Sequence, residues 1–315
     1  MIYFVLFLIS LVTTYLIKIY SIKQSIIDIP NERSSHTIPT PRGGGLAIII
    51  TFYLGLILLK DIIEVKLFLA FFSAIPIVII SLIDDIKPLS SKVRLLVQSL
   101  STLLALYLLG GVYSIDFIFF ELSGWWLNII AFFSILWLTN LYNFLDGIDG
   151  YAGTQTILIG IGLLLFFSNP LGGVLIVSSL GFLFFNWDKA SIFMGDVGSA
   201  TLGFIVAIFV FSDTSNGNIY IWLVILSFFW IDATITLFRR YFNGESISLA
   251  HRKHAYQRLT QVGWSHGKVV TYFIAFNLLF LFLLTIMEGN KVFILNIVLS
   301  TIILYAIEKK KSFKC

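Results

Sequence analysis

Long apolar runs, broken at intervals by compact polar clusters, set the pattern of this 315-residue chain. At a helical rise of about 1.5 Å per residue, roughly 17–22 apolar residues cross a bilayer's hydrocarbon core. Eleven segments fit that description, at about 1–17, 44–59, 67–83, 95–112, 126–142, 152–167, 170–186, 198–212, 218–238, 268–287 and 291–307. The predicted fold is therefore all-α: a polytopic integral membrane protein with about 11 transmembrane helices, the whole of 1–315 forming a single transmembrane domain. No internal repeat is visible, which argues against a carrier built from two matching halves.

Composition strengthens this reading. The chain is 58% hydrophobic and 12% charged, roughly half the charge of a soluble domain. Its one cysteine, Cys315, leaves no intramolecular disulfide and no thiol metal site. The first segment lacks a basic n-region and a small-residue cleavage site, and reads as a retained helix. Charge then gives a sidedness. Eighteen of the 21 Lys and Arg fall in alternate connections, 18–43, 84–94, 143–151, 187–197, 239–268 and the tail after 307. The other side holds only Lys60, Lys66 and Lys291. The positive-inside rule makes the rich set cytoplasmic, with the N-terminus outside and the C-terminus cytoplasmic.

Every dense polar motif falls on that same side, as expected of a one-sided enzyme. SLIDDIKPLSSKVR carries Asp84, Asp85 and Arg94. Adjacent carboxylates on a helix point about 100° apart, so the two face different partners, and at a helix C-terminus they oppose the dipole unless compensated. A plain solvated helix end, neutralised by Lys87 and Lys92, is the competing reading. NLYNFLDGIDG places Asn140 and Asn143 one turn apart, then Asp146 and Asp149, each before a glycine. Amide and carboxylate oxygens suit Mg²⁺, which keeps several waters and binds substrate phosphates; a polar helix end with glycine turns is the alternative.

FMGDVGS sets Asp196 at a helix start, either as a cap or beside a phosphate. Phe193 stands where the G-x-G-D element of intramembrane aspartyl proteases has its first glycine, which discounts that activity; Asp232, inside the ninth span, is the one candidate for a second catalytic aspartate. SLAHRKHAYQRL supplies His251, Arg252, His254 and Arg258, of which three share a face if the segment is helical. They suit a pyrophosphate, a basic patch on lipid headgroups being the alternative; a zinc site lacks a third ligand. RSSHTIPTPRGGG offers Arg33, His36, Arg42 and exposed glycine N–H groups to an anion. Together these groups imply phosphoryl transfer between a soluble nucleotide and a lipid.

At these motifs the sequence resembles the polyprenyl-phosphate N-acetylhexosamine-1-phosphate transferases (glycosyltransferase family 4), related to the phospho-MurNAc-pentapeptide translocase. The resemblance covers about 28–260, with motifs in matching order. HRKHAYQRL and PNERSSHTIPTPRGGG look most like the branch that starts O-antigen or related surface glycans. The triple-His loop of the peptidoglycan enzyme is absent.

The resemblance implies a UDP-activated N-acetylated sugar as donor, undecaprenyl phosphate as acceptor, UMP as leaving group, and Mg²⁺ as cofactor, with Mn²⁺ as substitute. It places the enzyme in the bacterial inner membrane, its site on the cytoplasmic face, with no nucleic-acid partner and with a homodimer admitted. By matching position, Asn143 and Asp196 correspond to Mg²⁺ ligands. Asp84 and Asp85 match the acidic pair near the lipid phosphate, either as a base or as electrostatic placement of Arg94 and the metal. Arg94 corresponds to a phosphate contact, Phe193 to a ring stacked on uracil, and Asp149 to a nucleoside contact; Asp146 is not kept in eukaryotic relatives. His251 and Arg252 match the loop that holds the diphosphate and sugar. The rival from another class is a flippase for lipid-linked sugars, which would bind the diphosphate without chemistry.

Overall fold

The computed structural model describes residues 1–30, 34–117, 119–215, 217–246 and 251–313; Arg33, Cys315 and the first residues of SLAHRKHAYQRL lie outside the described residues. The chain is helical almost throughout. In order come α1 (Ile2–Lys23), α2 (Gly45–Leu58), α3 (Val65–Phe72), α4 (Ile75–Ile86), α5 (Ser91–Leu109), α6 (Leu127–Phe144) and α7 (Tyr151–Phe166). There follow α8 (Leu171–Asn186), α9 (Asp196–Ser212), α10 (Asn218–Ile225), α11 (Ser227–Phe242), α12 (Ala255–Gln261), α13 (His266–Ile286) and α14 (Gly289–Lys310). Two short antiparallel pairs are present among the described residues: Ile27–Asp28 with Thr40–Pro41, and Ser114–Asp116 with Glu121–Ser123.

Each of the eleven predicted segments coincides with a helix or helix pair. Among the described residues, six helices, counting α3 with α4 as one, have the length and apolarity to cross a membrane; α10 and α11 together make a bent candidate, and α2, α7, α8 and α9 are shorter apolar helices. Leu100, Phe133, Phe282 and Ile302 stand outward on α5, α6, α13 and α14. Apolar side chains on the outside of a bundle this apolar face lipid.

The ninth segment departs from a straight span: α10 and α11 meet at 71° across Leu226. No proline or glycine marks the break. Instead, side chains take the carbonyls near the bend, with Trp230 Nε1 donating to the Leu223 carbonyl (3.0 Å) and Gln155 Nε2 to that of Ile225 (2.9 Å). The 167–170 turn between α7 and α8 is tight, and the Asn169 side chain accepts from the Leu171 N–H (3.0 Å).

Helix α9 is the hub. Every residue from Val197 to Phe211 is buried, as expected of a helix apolar all round, and it packs against α2, α4 and α6. Close approach depends on small residues. A Cβ on Gly45 would lie 2.3 Å from the Gly198 Cα, and one on Gly203 2.7 Å from the Leu138 carbonyl oxygen. Backbone cannot yield to such contacts as a side chain can. Gly45→Ala is expected to cost about 1–3 kcal/mol of stability, read as a lower thermal unfolding midpoint of the detergent-purified protein, and to misplace the α9 N-terminus, where the site lies.

Candidate active site

The C-terminal ends of α4 and α6 and the N-terminal end of α9 converge on a polar cavity of ≈ 310 Å³, whose lining comes from the connections that the lysine and arginine count assigns to one side. Backbone pairing holds two of those connections together. Phe193 N–H donates to the Pro41 carbonyl (2.8 Å), Gly44 N–H to Phe193 (2.9 Å) and Gly45 N–H to Met194 (2.8 Å). The reading of the triple glycine as an anion cradle is thereby corrected: two of its N–H groups are already donated to protein carbonyls. Arg42 and His36 do line the cavity. Phe193 lies on its wall, and the His36 ring meets it edge-on at 4.8 Å between centroids.

Asp85 is buried and serves α9. Its Oδ1 accepts from the Asp196 N–H (3.0 Å) and its Oδ2 from the Val197 N–H (3.1 Å), two donors that the first helical turn cannot satisfy itself. This is the compensation that a carboxylate at the end of α4 requires: it sits at the positive end of α9. Gly195 makes the approach feasible, with φ +76° and a would-be Cβ 2.6 Å from Asp85 Oδ2. Asp84 points elsewhere, accepting from the Leu89 N–H (2.6 Å) and from Arg94 Nη1 (2.9 Å). The same Arg94 nitrogen lies 2.6 Å from Asp196 Oδ2, so one guanidinium bridges two carboxylates. Asn143 is within hydrogen-bonding reach of Asp196.

Asp146 completes the group from the loop after α6. It lines the cavity, yet its recession into protein, with Asp196, Asp85 and Asp149 nearby, pushes its carboxyl well above the usual carboxylate range. Among the described residues its carboxylate has no hydrogen-bond partner. Anionic oxygens thus crowd one wall of a small cavity without a matching number of cations. The described residues hold no closed cage of three His, Cys, Asp or Glu side chains. The donor set fits a hard divalent cation held by few protein oxygens, with phosphates and water completing its shell.

Asp149 lies deeper, its Oδ2 accepting from the Ala190 N–H (3.1 Å) and 3.1 Å from His266 Nδ1. His266, at the start of α13, lines both this cavity and an adjoining one of ≈ 460 Å³. Sequence reading missed it, because its partner is 117 residues away and no motif surrounds it. Asp188 and Gln257, which line the adjoining and the main cavity, were also missed; Gln257 stands inside SLAHRKHAYQRL, where the charged residues drew the reading. Arg252 lines the adjoining cavity and donates to the Ser34 carbonyl (3.1 Å), tying the two basic loops together.

Other residues singled out in the sequence turn away. Asn140 donates to Gln98 (2.9 Å), joining α6 to α5. The helix expected to align His251, His254 and Arg258 begins only at Ala255. Arg258 is buried against Glu308 (2.6 Å) of α14, and His254 is buried with its ring stacked near Tyr256. His251 packs against His254, with centroids 4.8 Å apart, rather than lining either polar cavity. Asp232 accepts from the Ala255 N–H (2.9 Å) and from Thr236 (3.2 Å), so it caps α12 and does not line the cavity with Asp196. The paired-aspartate protease geometry is not formed.

Burial, with Arg240 and Arg258 nearby, lowers the His254 pKa from 6.5 to about 3. A depressed folded-state pKa means that the unfolded chain binds the proton first. This contribution to stability is complete above pH 6.5 and is lost as pH falls toward about 3. Thermal unfolding followed across that window should show His254→Gln with a shallower acid slope than the wild type, by up to about 1.4 kcal/mol per pH unit.

A membrane-embedded helical bundle with an acidic, phosphate-compatible cavity at one end is the class that fold and site define. Residues 67–213 match the sequence profile of glycosyl transferase family 4. A probable undecaprenyl-phosphate N-acetylglucosaminyl 1-phosphate transferase of Bacillus subtilis (strain 168) is 32% identical over 295 residues, covering 86% of this chain and 82% of the relative. A decaprenyl-phosphate N-acetylglucosaminephosphotransferase of Mycobacterium leprae (strain TN) is 27% identical, over 84% and 77% of the two chains. A phospho-N-acetylmuramoyl-pentapeptide-transferase of Orientia tsutsugamushi (strain Ikeda) is 27% identical, over 76% and 78%. The chain belongs to glycosyl transferase family 4.

Proposed function

We propose that this protein transfers an N-acetylhexosamine-1-phosphate from a UDP-sugar to undecaprenyl phosphate, releasing UMP and initiating a surface glycan such as O-antigen. It crosses a bacterial inner membrane eleven times as one domain, its N-terminus outside and its site on the cytoplasmic face. The observation that carries the reading is the placement of Asp146, with no hydrogen-bond partner for its carboxylate among the described residues, in one cavity with Asp196 and Asn143, beside the Asp84–Arg94 bridge. An acidic cavity of this kind repels bare phosphates and accepts them together with a divalent cation. The names of the relatives supply the acceptor and sugar classes.

Asn143 and Asp196, with Asp146 beside them, would hold Mg²⁺ or Mn²⁺, which supplies charge neutralisation to the diphosphate when bound. An oxygen of the lipid phosphate forms a new bond to the β-phosphorus of the donor. The bond from that phosphorus to the bridging oxygen breaks, and UMP leaves with the electron pair. The nucleophile is already anionic near neutral pH, since a phosphate monoester's second pKa is about 6. No proton need be removed, so Asp84 and Asp85 act by placement: Asp84 orients Arg94, and Asp85 fixes the end of α9 that presents Asp196. Phe193 offers a ring face for the uracil, Arg42 and Arg252 offer cationic donors and His36 a ring nitrogen to the diphosphate and sugar, and Asp149 with His266 borders the nucleoside. In this reading His251, His254 and Arg258 shape the loop that carries Arg252.

The test is UMP release from UDP-N-acetylhexosamines by the purified chain, with and without undecaprenyl phosphate and with Mg²⁺ or EDTA. Release is expected only with both lipid and metal, falling at least about 10³-fold in EDTA. Binding without release would turn the reading toward a lipid-linked-sugar flippase.

A further inference from the structure

A second cavity lies between α11, α12, α13 and α14, and its chemistry is the reverse of the first. It encloses ≈ 460 Å³ and is lined by Phe228, Phe273, Phe276, Ile303 and Ile307, with buried Tyr151 and Tyr256 among its walls. Tyr272 and Leu279 line it too and are exposed, so it opens to the outside of the bundle, where the bilayer lies. Trp264 and Lys310 also line it. Lys268 Nζ lies 4.3 Å and Lys310 Nζ 5.0 Å from the ring centroid of this same indole.

Two ammonium groups on one indole repel each other, and no carboxylate lies within ion-pair distance of either among the described residues. Asp188 approaches this region but accepts from the Gly267 N–H (3.0 Å). Glu308, on the same turn as Lys310, is taken by Arg239 and Arg258. The pair therefore presents unneutralised positive charge where an apolar cavity meets the helix ends, and an indole with flanking lysines is at home at a headgroup boundary.

We infer that this cavity is a binding site for an anionic phospholipid, one acyl chain lying between α13 and α14 and the headgroup phosphate bridging Lys268 and Lys310 over Trp264. Charge complementarity selects the occupant: a zwitterionic lipid fills the cavity equally well but brings no net charge to the lysines. The site has a route to the active site. Tyr256, one of its walls, donates to the Phe144 carbonyl (3.0 Å) and packs on Gly147, within the loop that carries Asp146. The inference stands independently of the transfer reaction.

The full chain, reconstituted in phosphatidylcholine nanodiscs doped with phosphatidylglycerol brominated on its acyl chains, provides the test. The Trp264 signal is isolated as the difference from Trp264→Phe. Brominated phosphatidylglycerol is expected to quench it at a mole fraction at least about fivefold lower than brominated phosphatidylcholine requires. The Lys268→Gln, Lys310→Gln double variant, which changes two exposed side chains, should remove that preference while leaving non-selective quenching. Equal quenching by the two lipids, or a preference that survives the double variant, would overturn the inference. So would displacement of the brominated phosphatidylglycerol by undecaprenyl phosphate but not by excess unlabelled phosphatidylglycerol, which would make the cavity an acceptor-tail site.

Discussion

Asp196→Asn will reduce UMP release at least about 10³-fold, close to 4 kcal/mol of transition-state stabilisation, while leaving the protein folded. The variant is nearly isosteric, and its amide oxygen can still accept from Arg94, which now lies 2.6 Å from the carboxylate. The backbone N–H of residue 196 still donates to Asp85, so the start of α9 is held as before. What disappears is one negative charge at the point where Asn143, Arg94 and the Asp84 carboxylate meet. If that charge holds a cation against the diphosphate, added Mg²⁺ will not restore the rate. A thermal midpoint within a few degrees of wild type, beside an abolished rate, is the expected pair of results. Activity within tenfold of wild type would reduce Asp196 to an anchor for Arg94.

The second large effect separates two roles for Asp85. Its oxygens accept from both first N–H groups of α9. Asp85→Ala leaves two buried donors unpaired, at about 1–3 kcal/mol each, and frees the segment that presents Asp196. A loss of stability together with roughly 10²-fold or greater loss of rate is expected. Asp85→Asn retains one acceptor oxygen and should recover a substantial part of both, with an unshifted pH–rate profile. A general base would behave otherwise: Asn would be as inactive as Ala, and the acid limb of the profile would vanish. Unfolding midpoints and pH–rate profiles of the two variants decide between these roles.

Much of the architecture was legible because hydrophobic run length is a local signal. Segments read at 44–59, 126–142 and 170–186 are helices Gly45–Leu58, Leu127–Phe144 and Leu171–Asn186. The bend at Leu226 was not legible, since it rests on Trp230 and Gln155 rather than on a proline or glycine. Within the site, Asp85, Asn143, Asp146, Asp149 and Asp196 do share one cavity. Their motifs are short and polar against apolar flanks, which makes them conspicuous. Partners far apart in the chain were invisible: Asp149 with His266, and the glycine segment 43–45 with the 193–194 carbonyls. Spacing also misdirected the basic loop. Helical periodicity grouped His251, His254 and Arg258 on one face, but Glu308 draws Arg258 to α14, and the Asp232 cap sets where α12 begins.

The central claim is that a sugar-1-phosphate moves, not a sugar alone, and the donor's phosphorus reports it directly. The purified chain is incubated with undecaprenyl phosphate, Mg²⁺ and UDP-N-acetylglucosamine or a related UDP-sugar radiolabelled at the β-phosphorus, and the lipid is then extracted. The account predicts that the label enters the lipid phase in step with UMP released to water, and that both cease in Asp196→Asn. Label remaining in water as UDP, with sugar alone found on the lipid, would contradict it.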